Sequence, residues 1–141
     1  MSLKMTKEER EAFLADLHVG VISIARDGRG PLTVPIWYDY EPGGEVWVIT
    51  DLNSLKGKAL QNATRVSLCA QAEDMPYKYV SIEGAFTTRP STQEELLHMA
   101  IRYLGEEQGR AYAENPEGDG DSVVVSIATE NWLTVDYGKA G

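Results

Sequence analysis

The sequence predicts a mainly β domain in which antiparallel strands close into a barrel and helices lie at its periphery. About seven short segments of alternating or β-favouring residues support this prediction, because clusters of glycine, proline and acidic residues separate most of them. Strands joined by such connections pair antiparallel, and a closed sheet hides its edges. Residues 1–141 are long enough for one domain with its own core, and we expect a single domain.

The first three strands are predicted in the N-terminal half. Val19 to Ala25 is apolar or small, and Asp27-Gly28-Arg29-Gly30 supplies the positive-φ positions of a tight turn. The returning segment Leu32 to Tyr40 alternates between two faces, and Pro35 within it cannot donate to a ladder. Pro35 therefore indicates an edge, a bulge or a barrel corner. Val46 to Thr50 is the third strand.

Four further strands are predicted at Arg65 to Ala72, Tyr77 to Thr88, Val123 to Ile127 and Trp132 to Tyr137. The first two should pair as a hairpin, because turn-forming Glu73-Asp74-Met75-Pro76 lies between them. An acidic loop from Asn115 to Asp121 is expected to precede the last two.

Helix-capping patterns predict the helices. A capping box at Thr6–Glu9 opens the first, whose inward face carries Phe13, Leu14 and Leu17. Ser54 is the expected N-cap of a short second helix. A Ser or Thr followed three residues later by Glu occurs twice within Ser91–Glu95 and opens a third, which Gly105 ends. Its inward face is predicted to carry Leu97, Ile101 and Leu104, and a further helical segment is expected over Gly109 to Ala113.

Charge and cysteine content restrict the possible partners and compartment. Thirteen basic against 22 acidic residues give a net charge of -9, which repels nucleic acid and anionic lipid. No apolar segment approaches the roughly 20 residues of a membrane span. The single Cys69 cannot form an intramolecular disulfide, and no signal-peptide pattern is present. We therefore expect a cytoplasmic protein that binds neither nucleic acid nor membranes.

The segment Ser54-Leu55-Lys56-Gly57-Lys58 is the most informative for function. It follows a strand and opens a short helix, so a hydroxyl, two ammonium groups and free backbone amides are predicted to converge on one anion. Gly57 would let a ligand approach closely. No acidic residue occurs between Leu52 and Ala72, despite the acidic composition. The alternative interpretation is an ordinary solvated helix end with two surface lysines.

The segment from Thr50 to Lys56 resembles the strand-loop-helix element that holds the FMN phosphate in the pyridoxamine 5′-phosphate oxidase superfamily. Further similar segments follow the order of that family: Val19-Gly20-Val21, Val34 to Tyr38, Tyr79 to Gly84, and Trp132. The resemblance implies an antiparallel Greek-key split β-barrel that forms a homodimer. It also implies a cofactor between the two subunits, either FMN or the deazaflavin coenzyme F420.

The resemblance also implies which residues bind the cofactor. Its ring system would lie along Val34, Pro35, Ile36 and Trp37. Its phosphate or neighbouring groups would be held by Thr50, Ser54, Lys56 and Lys58. Trp132 of the other subunit would help to cover it. The aromatic residues Trp37, Tyr38 and Trp47 are equally suited to a barrel core or a dimer interface.

Three functions remain open at this stage, one of which is a structural or interaction dimer that binds no cofactor. The first is hydride transfer to or from a small organic substrate, for which the cofactor supplies the reactive centre and no catalytic side chain is assigned. The second is a non-catalytic carrier of a flavin, deazaflavin or tetrapyrrole. A vitamin B6 substrate is not expected, because Leu133 to Gly138 lacks the Arg and His that such oxidases place after their Trp. His18 and His98 are isolated, and no metal site is predicted.

Overall fold

The computed structural model describes residues 2–114 and 120–140. The described residues form strands β1 Gly20–Ile24, β2 Leu32–Ile36, β3 Val46–Asp51, β4 Arg65–Ala72, β5 Lys78–Pro90, β6 Ser122–Ile127 and β7 Asn131–Asp136. They also form helices α1 Lys7–Ala15, α2 Leu55–Leu60, α3 Gln93–Leu104 and α4 Glu106–Glu114, and a 3₁₀ turn at Tyr137–Lys139. Most of the acidic loop predicted from Asn115 to Asp121 lies outside the described residues.

The strands form an antiparallel barrel. Their hydrogen-bonded order is β2-β1-β4-β5-β6-β3, and β7 pairs with β5 outside this path. The two ends of the order meet where Asp39, just after β2, exchanges two backbone hydrogen bonds of 3.0 Å with Trp47 in β3. The predicted mainly β architecture is confirmed. Pro35 lies in β2, which stands at one end of the strand order and pairs with β1. This position suits proline, because its missing N–H cannot donate to a strand on each side.

Strand β5 links the two parts of the barrel. Its first half pairs with β4 and β7, and its second half pairs with β6. The change of partner occurs at Gly84, where a side-chain Cβ would lie 1.9 Å from the Ala128 carbonyl oxygen. The β6–β7 connection also donates to the Ala85 and Glu83 carbonyls of β5, so a residue without Cβ is needed for it to lie this close to β5.

The barrel interior is filled by aliphatic side chains that alternate along the strands. Its fully buried members include Ile22, Ile24, Val46, Val48, Leu68, Val80, Ile82, Val125 and Ile127. Tyr38 is also fully buried, and its hydroxyl donates a 2.7 Å hydrogen bond to the Leu14 carbonyl of α1. In the segment predicted to alternate from Leu32 to Tyr40, Ile36, Tyr38 and Tyr40 are buried. The predicted alternation is confirmed.

The helices begin where the capping patterns predict, but the predictions of which residues they bury are corrected. Both side-chain bonds of the capping box form at Thr6–Glu9 and at Thr92–Glu95. Leu17 was predicted to face inward but is 56% exposed, because α1 ends at Ala15. Leu97, Ile101 and Leu104 of α3 are only half-buried, whereas Met99 and Ala100 are buried. None of the described helices has the length and hydrophobicity needed to cross a membrane.

The close approach at Gly84 yields a stability prediction. Gly84→Ala should lower the free energy of unfolding by about 3 kcal/mol or more, because its Cβ would collide with backbone. Gly30→Ala is the control, since nothing lies within 4 Å of a Cβ at that position, and it should change stability by less than about 0.5 kcal/mol. Urea unfolding followed by circular dichroism measures both. Equal stability of the two variants would contradict the close approach assigned to Gly84.

Candidate functional site

A groove of about 300 Å³ lies where the end of β3, α2, α3 and α4 come together. One part of its wall is mainly apolar and is formed by Trp37, Ile49, Leu96, Met99, Ala100 and Tyr112. The other part is polar and is formed by Thr50, Asp51, Ser54, Lys56 and Ser122. An amphipathic wall of this kind suits a ligand with a flat apolar body and a charged end.

The polar part is organised by Ser54. Its hydroxyl donates a 2.7 Å hydrogen bond to the Asp51 carbonyl and accepts one of 3.1 Å from the Gly57 amide. The Thr50 hydroxyl, which is buried, lies 3.2 Å from the same oxygen. Because the single proton of Ser54 is committed to Asp51, Ser54 shapes the turn and has no proton left for an anion.

Lys56 supplies the positive charge of the groove. It is half-buried, and none of the ion pairs formed within residues 2–114 and 120–140 involves it. The Asp51 carboxylate lines the same groove and accepts a 2.8 Å hydrogen bond from the Asn53 amide. The polar part is therefore of mixed charge, because Asp51 lies just before the segment from Leu52 to Ala72 that has no acidic residue.

Gly57 has a different role from the predicted one. It is buried, and a Cβ at this position would lie 2.3 Å from the Asp51 carbonyl oxygen and 2.5 Å from that of Leu52. The missing side chain lets α2 pack against the preceding loop of its own chain. The prediction that Gly57 admits a ligand is therefore corrected.

Stacked aromatic rings form the apolar wall. Trp37 lies parallel to Tyr103 of α3, with ring centroids 5.0 Å apart and planes inclined by 5°. Tyr112 of α4 contacts the same indole at 5.6 Å with its plane inclined by 55°. Such offset and tilted pairs are favoured arrangements of aromatic rings, so the indole of Trp37 is held between two helices.

Hydrogen bonds to the backbone fix this wall in place. The Tyr103 hydroxyl lies 2.5 Å from the His18 carbonyl and accepts a 3.1 Å hydrogen bond from the Tyr38 amide. Burial raises the pKa of Tyr103, so it remains a protonated donor. Arg102 donates from Nε to the Tyr38 carbonyl at 3.0 Å and forms an ion pair with Asp39 at 3.4 Å. Helix α3 is thus fastened to the chain that follows β2.

The structure brings together four of the predicted cofactor-binding residues, Trp37, Thr50, Ser54 and Lys56. Lys58 does not join them, because it lines a second groove on another side of α2. Val34, Pro35 and Ile36 are in β2 and do not line the groove. Strand β2 stands at one end of the strand order and pairs with β1. Within the described residues, no other strand pairs with its second edge.

Trp132 contacts residues of its own chain. The guanidinium carbon of Arg10 lies 4.4 Å from the centre of its ring, and Tyr40 meets it edge-on at 6.2 Å. Its indole packs against the barrel core and does not line the groove.

Sequence reasoning missed the helical residues of the wall. Leu96, Met99 and Tyr103 recur at the spacing of one helix face, which is a signal in the sequence for the face that packs against the barrel. The predicted inward face of α3 was the neighbouring one, formed by Leu97, Ile101 and Leu104. Tyr112 lies within the predicted fourth helical segment but had no assigned function. Its contact with Trp37 follows from the packing of α4 on α3.

The residues present fit a flavin-type cofactor. A volume of about 300 Å³ is at the lower end of the range for small-molecule sites. The aromatic wall matches a planar ring system, and Lys56 with the Thr50 hydroxyl matches a phosphate. Within residues 2–114 and 120–140, no group of three or more His, Cys, Asp or Glu side chains is placed to hold a metal ion.

Solved structures share this fold. A conserved hypothetical protein from Mycobacterium tuberculosis superimposes with a TM-score of 0.77 at 22% identity, covering 99% of this chain and 89% of that chain. A protein described as F420 reductase gives 0.69 at 16% identity, covering 87% and 94%. An FAD and heme binding protein from Mycobacterium smegmatis gives 0.65 at 17% identity, covering 94% and 72%. At these identities the likeness shows the fold alone.

No curated protein matches the sequence significantly. The profile of the family described as pyridoxamine 5′-phosphate oxidase matches residues 6–136, which include all seven strands of the described structure. The predicted antiparallel split β-barrel is confirmed by the strand order and by these structural neighbours. The chain therefore belongs to the pyridoxamine 5′-phosphate oxidase family.

Proposed function

We propose that residues 1–141 act in the cytoplasm as one domain that binds FMN, or alternatively F420, and transfers hydride to or from a small organic substrate. The observation that carries the proposal is the groove in which the aromatic wall at Trp37 and the ammonium group of Lys56 face one volume. Membership of the family supports the same function.

The proposed roles follow from the positions of the side chains. Lys56 pairs with the cofactor phosphate, and Thr50 donates to it when its hydroxyl turns from Ser54. Trp37 and Tyr112 flank the ring, while Leu96 and Met99 exclude water from its surface. The bound cofactor supplies the hydride chemistry, so the chain needs to bind and orient rather than to act as a nucleophile.

A second candidate function is non-catalytic binding of a flavin, deazaflavin or tetrapyrrole. It is supported by a neighbour of the same fold that is described as binding both FAD and heme. The neighbour described as F420 reductase supports the catalytic alternative. A vitamin B6 substrate is not proposed, because Leu133 to Gly138 lacks the Arg and His expected to hold its phosphate.

We further propose that the chain is a homodimer. Pairing across the sheet aligns Val21 with Pro35 and with Cys69, Cys69 with Ser81, and Ser81 with Leu133. This row lies on the outer face, where Val21 is 36% and Leu133 is 61% exposed. Its exposed members Val21, Pro35 and Leu133 are apolar, and such a surface suits a partner protein better than water. Buried and more exposed residues alternate along the chain as far as Trp37, which therefore lies on the same outer side as Pro35. Because Trp37 lines the groove, the groove borders this face.

Removal of the Lys56 charge tests the cofactor site. Lys56→Ala should weaken FMN binding by about 1.5 to 3 kcal/mol, a factor of about 10 to 150 in Kd, and leave riboflavin binding unchanged. Lys4→Ala is the matched control, because it removes the same charge from an exposed residue outside the groove. Titration followed by flavin fluorescence measures the affinities, and the same pair of measurements can be made with F420 and its phosphate-free chromophore. Equal affinity for FMN and riboflavin in the wild-type protein would refute the site.

Turnover separates the enzyme from the carrier. Protein loaded with reduced cofactor should oxidise it when members of a panel of small organic acceptors are added, at a rate well above that of free cofactor. Stopped-flow absorbance measures this rate. A cofactor that binds tightly but is oxidised no faster than in solution would favour the carrier.

A charge on the apolar row tests the dimer. The wild-type protein should sediment at twice the 15.6 kDa chain mass, and Leu133→Glu should shift it to the monomer. Leu55→Glu is the control, since Leu55 is 73% exposed but lies in α2. A monomeric wild-type protein, or a Leu133→Glu variant that remains dimeric, would contradict the proposed interface.

A further inference from the structure

A second groove, of about 340 Å³, lies between α2 and the turn that joins β1 to β2. Three cationic side chains line it, Arg26, Arg29 and Lys58. Among the described residues of its wall, Asp27 carries the single carboxylate. The remaining wall is mainly aliphatic and includes Leu32 and Leu55.

Helix geometry explains why Lys58 belongs to this groove. Residues two positions apart on an α-helix point about 200° from one another. Lys56 and Lys58 therefore lie on nearly opposite sides of α2, and each lines a different groove. The lysine pair that suggested one anion site in the sequence is divided between two.

The cations of the second groove form no ion pair with any described residue, although the protein has an excess of carboxylates. The chain has 22 acidic and 13 basic residues, so most cations could find a carboxylate partner. Among the described residues Arg65, Arg89, Arg102 and Arg110 all do so. None of the ion pairs within residues 2–114 and 120–140 involves Arg26, Arg29 or Lys58.

One of these cations is also held in place. Arg26 is half-buried, and its Nε donates a 3.0 Å hydrogen bond to the Gly30 carbonyl across the turn. The guanidinium is therefore oriented before any ligand arrives, which reduces the entropy lost on binding. Three neighbouring cations repel one another, and an anion with more than one charge would relieve that repulsion.

We propose that the second groove binds a pyrophosphate-type group carrying at least two negative charges. That group belongs to a separate small anion, so this inference does not rest on the proposed function. A dinucleotide cofactor in the first groove would not supply it, because its two phosphates are adjacent and Lys56 would already hold one of them on the opposite side of α2.

Calorimetry with sodium pyrophosphate tests the site on the full chain at low ionic strength. Saturable binding is expected, and Arg29→Ala/Lys58→Ala should weaken it about tenfold or more. Lys4→Ala/Lys78→Ala is the control, because it removes the same charge from residues outside the groove and should change the affinity less than about twofold. Absence of saturable binding, or an equal loss in both double variants, would overturn the proposal.

Flavin titrations separate the second groove from the cofactor site. Arg29→Ala/Lys58→Ala should leave FMN binding unchanged, and pyrophosphate should bind FMN-loaded protein as tightly as it binds cofactor-free protein. Loss of pyrophosphate binding on loading with FMN would overturn the separate site. Should Lys56→Ala leave FMN binding unchanged, the proposed function fails, but the pyrophosphate result still decides the second groove.

Discussion

The attachment of α3 to the chain that follows β2 is the interaction on which the candidate site depends. Arg102 and Tyr103 bind both backbone groups of Tyr38, and Arg102 also reaches the Ala15 and Asp16 carbonyls at 3.3 and 3.2 Å. Hydrogen bonds that involve a charged group contribute about 1.5 to 3 kcal/mol each, more than neutral ones. The opposite side of the groove is the end of β3, and the Asp39–Trp47 bridge near the start of that strand holds β3 beside the same segment. The distance between the two walls is therefore set by rigid connections to one short stretch of chain.

The fold was predictable because local signals agreed with one another. The capping boxes at Thr6 and Thr92, the alternation from Leu32 to Tyr40 and the missing N–H of Pro35 each constrain a single element. The C-terminal end of α1 was less predictable. Leu17 has the spacing of the helix face, but Asp16 is already extended and directs Leu17 to solvent. Spacing along a helix is informative only while the helix continues.

The candidate site was predictable where its residues are adjacent in sequence, and not where packing brings them together. Thr50, Ser54 and Lys56 occur within one turn and its helix, and they line one groove. Tyr112 is more than 50 residues away in sequence and reaches the groove only because α4 packs on α3. The spacing of Lys56 and Lys58 on α2 already places them on opposite sides of the helix. Which groove each of them lines depends on what packs on either side of α2, and the sequence of α2 does not show that.

The distribution of charge connects the two grooves. An acidic protein repels anionic ligands at long range, so an anion site in it needs concentrated local positive charge. Lys56 on one side of α2, and Arg26, Arg29 and Lys58 on the other, provide that concentration at one end of the barrel. The carboxylates of Asp51 and Asp27 line the respective grooves and favour ligands whose charge is localised near the cations.

A crystal structure of the protein with bound FMN tests the central claim most directly. The account predicts that the flavin ring contacts Trp37 and that a phosphate oxygen lies about 3 Å from Lys56 Nζ. A flavin bound elsewhere, or one whose phosphate is remote from Lys56, would contradict it.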